Sequence, residues 1–164
     1  MLRKIFTKLG FGASTMTTSE PPYTPYQSDA ANEIYNLLFC DNLAAFKPKE
    51  GESATTWQTV LFAEPTDQAA LLALANDATQ EGRIRYMAYA RLRSLEENVP
   101  AKVLLGVIVE VSLADGLDAL AAYSDGGVRY INHSGELVFL EGSTELEPHV
   151  KKLLAVSGPV VARI

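Results

Sequence analysis

Cysteine and histidine are nearly missing from this chain: Cys40 is the only cysteine in 164 residues, and His133 and His149 the only histidines. A single cysteine excludes an intramolecular disulfide and fits a reducing compartment, so a cytoplasmic location is expected. So few soft ligands also leave no structural zinc site, and no metal is expected. No run approaches the ~18–20 apolar residues that a membrane helix needs. There is no P-loop, no G-x-S-x-G elbow and no kinase signature. Gly10-Phe11-Gly12-Ala13-Ser14 begins like a dinucleotide fingerprint, yet the third glycine is missing and no buried strand precedes it. No cofactor is implied.

Basic charge is also scarce. Lys and Arg number 14 against 20 Asp and Glu, for a net charge of −6. The distribution is uneven: residues 1–19 carry Arg3, Lys4 and Lys8 without an acid, while residues 20–164 hold the other 11 bases and all 20 acids. An acidic body argues against nucleic-acid binding, which needs a basic footprint. Met1 to Gly12 has basic residues with Leu2, Ile5, Phe6 and Leu9 at roughly helical spacing. It lacks the apolar core of a secretory signal and reads as a disordered leader, with contact to a membrane surface as the lesser alternative. Met16 is a second potential start. Ser14 to Pro25 is rich in Ser, Thr and Pro, so residues 1–27 are expected to form a flexible arm before one domain over 28–164.

What is present is a run of strand signals from Val103 to Gly142. Val103, Leu105, Val107, Val109, Val111 and Leu113 alternate with a mixed set, giving one continuous apolar face. Ala114-Asp115-Gly116, Asp125-Gly126-Gly127 and Ser134-Gly135 mark three turns, so strands are expected at about 103–113, 117–124, 128–133 and 136–141. Two-residue loops at Asp125-Gly126 and Ser134-Gly135 would pair Leu120 with Ile131 and Ile131 with Val138. Leu120, Ile131 and Val138 would then share one face, and Tyr123, Tyr130 and Phe139 the other.

Helices are expected before and after this run. Ser28 or Asp29 caps one to about Phe39, Glu64-Pro65-Thr66-Asp67 opens another to about Ala78, and a third covers Arg83 to Glu97. Trp57 to Ala63 reads as a short strand. Pro148 opens a last helix that Gly158-Pro159 ends, leaving Pro159 to Ile164 as a terminal strand. The expected class is α+β: an antiparallel four- to five-stranded meander with helices packed on one face.

Two groups of polar residues stand out. His133 lies at the same end of the meander as Asp115 and Asp118, and a carboxylate–imidazole pair there could do acid–base work. The plainer account is that both aspartates shape a turn. On the helix from Arg83, the residues Arg85, Tyr86, Tyr89 and Arg93 are expected opposite Ile84 and Leu95, as an exposed Arg/Tyr face able to bind a partner. Arg129, in mid-strand, is a further candidate binding residue and is expected to pair with an acid at the sheet edge. Cys40 beside Asp41, at the C-terminal end of a helix, reads as a buried inert thiol.

The stretch Gly116-Leu117-Asp118 through Tyr123-Ser124-Asp125-Gly126 to Arg129-Tyr130-Ile131-Asn132-His133-Ser134-Gly135 resembles a motif of uncharacterised bacterial proteins. The resemblance covers about a third of the chain and implies a bacterial origin, with no activity or site residue attached. The sequence thus leans away from an enzyme and towards a small protein-binding or self-associating module. The alternative is a small-ligand binder or hydrolase-like enzyme using His133 with Asp115 and Asp118.

Overall fold

The computed structural model describes residues 23–99 and 103–163. The class is α+β: the described residues form five α-helices and a four-stranded antiparallel meander in the order β1-β2-β3-β4. The helices are α1 (Asp29–Leu38), α2 (Thr56–Leu61), α3 (Gln68–Asn76), α4 (Gly82–Ser94) and α5 (Glu147–Val161). The strands are β1 (Gly106–Leu113), β2 (Gly116–Tyr123), β3 (Val128–Ile131) and β4 (Leu137–Leu140).

Local chemistry sets the helix starts. The Ser28 hydroxyl accepts from the Ala31 N–H to cap α1, and the Asp67 carboxylate accepts from the Ala70 N–H to cap α3. Residues 57–63 were expected as a strand and instead lie mostly in α2. A capping box explains the correction, because Thr55 takes the N3 backbone and Gln58 reaches back to the Thr55 N–H at 2.9 Å. The expected terminal strand from Pro159 is also replaced, by the last turns of α5. A proline there removes only the bond to the Ala155 carbonyl, and Ala155 is exposed, so water can serve it.

The strands fall where the turn residues put them, but both later hairpins are shifted by one residue from the expected register. Ala119 pairs with Ile131, Leu120 with Tyr130, and Ile131 with Leu137. The cause is loop length. The Tyr123 N–H donates to the Gly127 carbonyl and the Asn132 N–H to the Glu136 carbonyl, so each loop holds three residues, not two. Gly126 at φ +89° and Gly135 at φ +87° supply the left-handed third position that such loops require. A one-residue slip exchanges the faces. Ile131 and Phe139 therefore lie with Ala119, Ala121, Tyr123 and Arg129, while Leu120, Tyr130 and Val138 share the opposite side with Ala122 and Val128.

Three apolar clusters follow. The first lies between α1 and one sheet face: Tyr26, Ala31, Tyr35 and Leu38 against Ala119, Ala121, Tyr123 and Ile131. The Tyr123 hydroxyl donates to the Leu38 carbonyl at 2.9 Å and fixes the end of α1. On the other face α5 sets Val150 against Ala122 and Val128. The third cluster joins α2, α3 and α4 around Leu61, Leu71, Met87 and Leu92, with Cys40 and Leu105 buried in it. Residues 23–27 were counted in the arm, yet Tyr26 is buried, and its N–H and carbonyl both bond the Asn32 side chain at 2.9 and 2.8 Å. The expected leader over residues 1–12 and the rest of the arm to residue 22 lie outside the described residues.

Candidate functional site

Three regions hold the residues that the sequence singles out. At the end of the meander that carries the first and third turns, Asp118 is the hub. One of its carboxylate oxygens accepts the Tyr130 hydroxyl at 2.9 Å, and the other accepts the His133 N–H at 2.8 Å. The His133 imidazole Nδ1 stands 3.6 Å from that second oxygen, too long for a hydrogen bond, and its ring is half exposed. Asp118 and His133 are thus brought together, whereas Asp115 is an exposed turn residue outside this network. The Asp118 hydrogen bond raises the Tyr130 phenol above its ordinary range. As arranged, the aspartate ties β2 to β3 and to the third turn through two neutral donors. Asn132 completes that turn by accepting from the Ser134 and Glu136 N–H groups.

On α4 the expected Arg/Tyr face is divided. Tyr89 is buried and donates to the Asn76 side chain at 2.8 Å, so it belongs to the α3–α4 contact and not to an exposed face. The correction follows from α3, which packs along the side of α4 that was assumed to be free. Arg85 is half-buried and donates to the Ala75 carbonyl at 3.0 Å, capping the last turn of α3. Tyr86 and Arg93 remain on the surface. Arg83 pairs with Glu81 at 2.6 Å, and Arg91 reaches Thr66 and Glu64 at 3.1 and 3.5 Å.

Arg129 is 7% exposed, bonds Glu141 at 2.5 Å and lies over the Phe139 ring at 5.3 Å from its centre. It neutralises the end of β4 and covers an edge aromatic ring. Cys40 is buried at φ +53°, and burial pushes its thiol up to about 12, a poor nucleophile. Tyr35 donates a short hydrogen bond to Glu110 on β1; burial and that bond both raise its phenol. Among the described residues no three of His, Cys, Asp and Glu gather to hold a metal ion, and no helix is long and apolar enough to cross a membrane.

The third region is the sheet face opposite α1. Beyond the area covered by α5, it leaves Val109 (37%), Val111 (50%) and Leu113 (44%) of β1 exposed, with Val138 (43%) and Leu140 (39%) of β4. Their registers put all five on one side, flanking Leu120 and Tyr130. The alternation in β1 was legible, but it marks the open face: the mixed set, Ile108 and Glu110, turns towards α1. A recess of about 270 Å³ at the other end of the sheet, between the Asp125-Gly126 turn and Lys151 of α5, holds none of the expected acid–base residues. No family model, no curated protein and no solved structure matches the chain.

Proposed function

We propose that this chain is a non-enzymatic module that binds protein, a partner or a second copy, through the sheet face opposite α1. One observation carries the reading: five large aliphatic side chains from both outer strands lie exposed on one face of the sheet. Solvated apolar groups gathered in this way are stabilised when a partner removes them from water, at roughly 25 cal/mol per Å². The exposed part of α4, Tyr86 and Arg93, is a lesser binding surface. The reading calls for no cofactor. A bacterial cytoplasm suits the single buried thiol and the motif resemblance.

The test replaces Val111 and Val138 together by Lys, at exposed positions where the fold should tolerate charge. Sedimentation of the purified chain and affinity capture from the native lysate are then compared with the wild type. Loss of self-association or of a captured protein agrees with the reading. A folded double variant with unchanged sedimentation and unchanged capture refutes it.

A second reading, a ligand-binding or hydrolase-like site at His133 with Asp118 and Asp115, draws on the 3.6 Å approach of His133 to Asp118. A ligand there would raise the melting temperature of the wild type and leave that of His133→Ala unmoved. Equal shifts in both would discard this reading.

A further inference from the structure

We propose that two copies of the chain join through the outer edge of β1, antiparallel about a two-fold axis, making one eight-stranded sheet. This rests on the protein-binding reading above and names the partner as a second copy. β1 is the first strand of the sheet, so among the described residues one side of its eight residues is unpaired. The Ser124 N–H donates to the Leu105 carbonyl at 2.9 Å, which fixes the odd-numbered residues as those whose backbone groups face β2. By the alternation of an antiparallel ladder, the N–H and C=O of Gly106, Ile108, Glu110 and Ser112 point away from the sheet.

Proteins usually guard such an edge with proline, lysine or a bulge. β1 has none of these: its eight residues pair with β2 without interruption and include no Pro, Lys or Arg. Its one charge, Glu110, is engaged by the Tyr35 hydroxyl on the α1 side. The strand is its own complement. With the axis at Val109, Val109 faces Val109 of the second copy, and Val107 faces the second copy's Val111. Ile108 then faces the second copy's Glu110, and Gly106 its Ser112. The hydrogen-bonded rungs fall on the even residues, which are the ones with free backbone groups. The valines take the closer, non-hydrogen-bonded rungs, where β-branched side chains pack best. No like charges stand directly opposite, whereas a register centred on Glu110 would oppose two carboxylates. Two-fold pairing also merges the exposed Val109 and Val111 of both copies into one patch, the self-matching contact that closed dimers use.

Sedimentation equilibrium of the full chain across a wide concentration range should show a reversible dimer. Ile108→Pro removes a donor only on the outer side of β1, so the β1–β2 ladder keeps its bonds. The expected result is a folded monomer, with the dimer lost. A folded Ile108→Pro protein that dimerises like the wild type overturns the edge contact; if Val111→Lys with Val138→Lys abolishes that dimer, the open-face reading survives. A wild type that stays monomeric throughout also overturns the edge contact, and capture of a different protein would then sustain the broader reading. Should Ile108→Pro fail to fold, amide exchange in the wild type decides. Protection of Ile108, Glu110 and Ser112 that rises with concentration supports the pairing, and concentration-independent exchange overturns it.

Discussion

Alkali should unfold this protein from the sheet side. Tyr26, Tyr35 and Tyr123 all lie in the cluster between α1 and the sheet, each 5–6% exposed. Burial, with the nearby charges of Asp118 and Glu110, pushes Tyr26 from 10.0 up to about 12, and burial raises Tyr35 and Tyr123 as well. A phenol whose folded pKa lies above its unfolded value favours folding fully below pH 10. That stability is lost as pH climbs towards the folded pKa, because only the unfolded chain ionises there. Each such group costs about 1.4 kcal/mol per pH unit, so three acting together cost about 4 kcal/mol per unit. A stability of about 5–10 kcal/mol would be consumed about 1–3 units above the ordinary tyrosine range. Tyrosinate absorbance and far-ultraviolet circular dichroism, followed in one titration, test this. The buried three should ionise only together with loss of secondary structure. Tyr35→Phe should reduce the slope from about 4 to about 3 kcal/mol per unit. A single wave near pH 10 for all tyrosines, with unchanged dichroism, would refute the reasoning.

Three further outcomes are expected. At Gly82 an added Cβ would sit 2.5 Å from the Leu105 carbonyl oxygen, so Gly82→Ala should destabilise by about 1–3 kcal/mol despite better helix propensity, read from the midpoint of urea unfolding. With its thiol near 12, Cys40 should resist disulfide-exchange reagents at neutral pH in the native protein and react at once in denaturant; fast native labelling would show an open end to α1. Asp118→Asn should bring the Tyr130 phenol back towards 10.0 and speed exchange of the His133 amide, both measured by nuclear magnetic resonance.

Strand order and turn positions were readable because the turns are written in glycine with aspartate or serine, and β1 in alternating valines. Register was not, because a two-residue and a three-residue glycine loop share one sequence signature. The difference is held by bonds such as Asn132 to Glu136. The α2 segment misled for a related reason: WQTVLFA carries strand-like residues, while the helix is set by Thr55 and Gln58 at its start. For the candidate site, Asp118 with His133 was legible from the meander alone, as was the pairing of Arg129 with an acid. Tyr89 and Arg85 were misplaced because helical periodicity gives the faces of α4 without saying how many neighbours cover them. Tyr35 and Glu110 escaped notice because 75 residues separate them.

Dividing the core into separate clusters also gives the molecule two optical reporters in different places. Trp57, the only tryptophan, packs against the α2–α4 cluster, while Tyr26, Tyr35 and Tyr123 sit between α1 and the sheet. Tryptophan fluorescence therefore follows the helical unit, and near-ultraviolet tyrosine dichroism of a Tyr89→Phe variant, which removes the buried tyrosine of that unit, follows mainly the sheet side, with no label attached. Coincident denaturation curves would mean that the two halves melt as one body; separated curves would locate the weaker half directly.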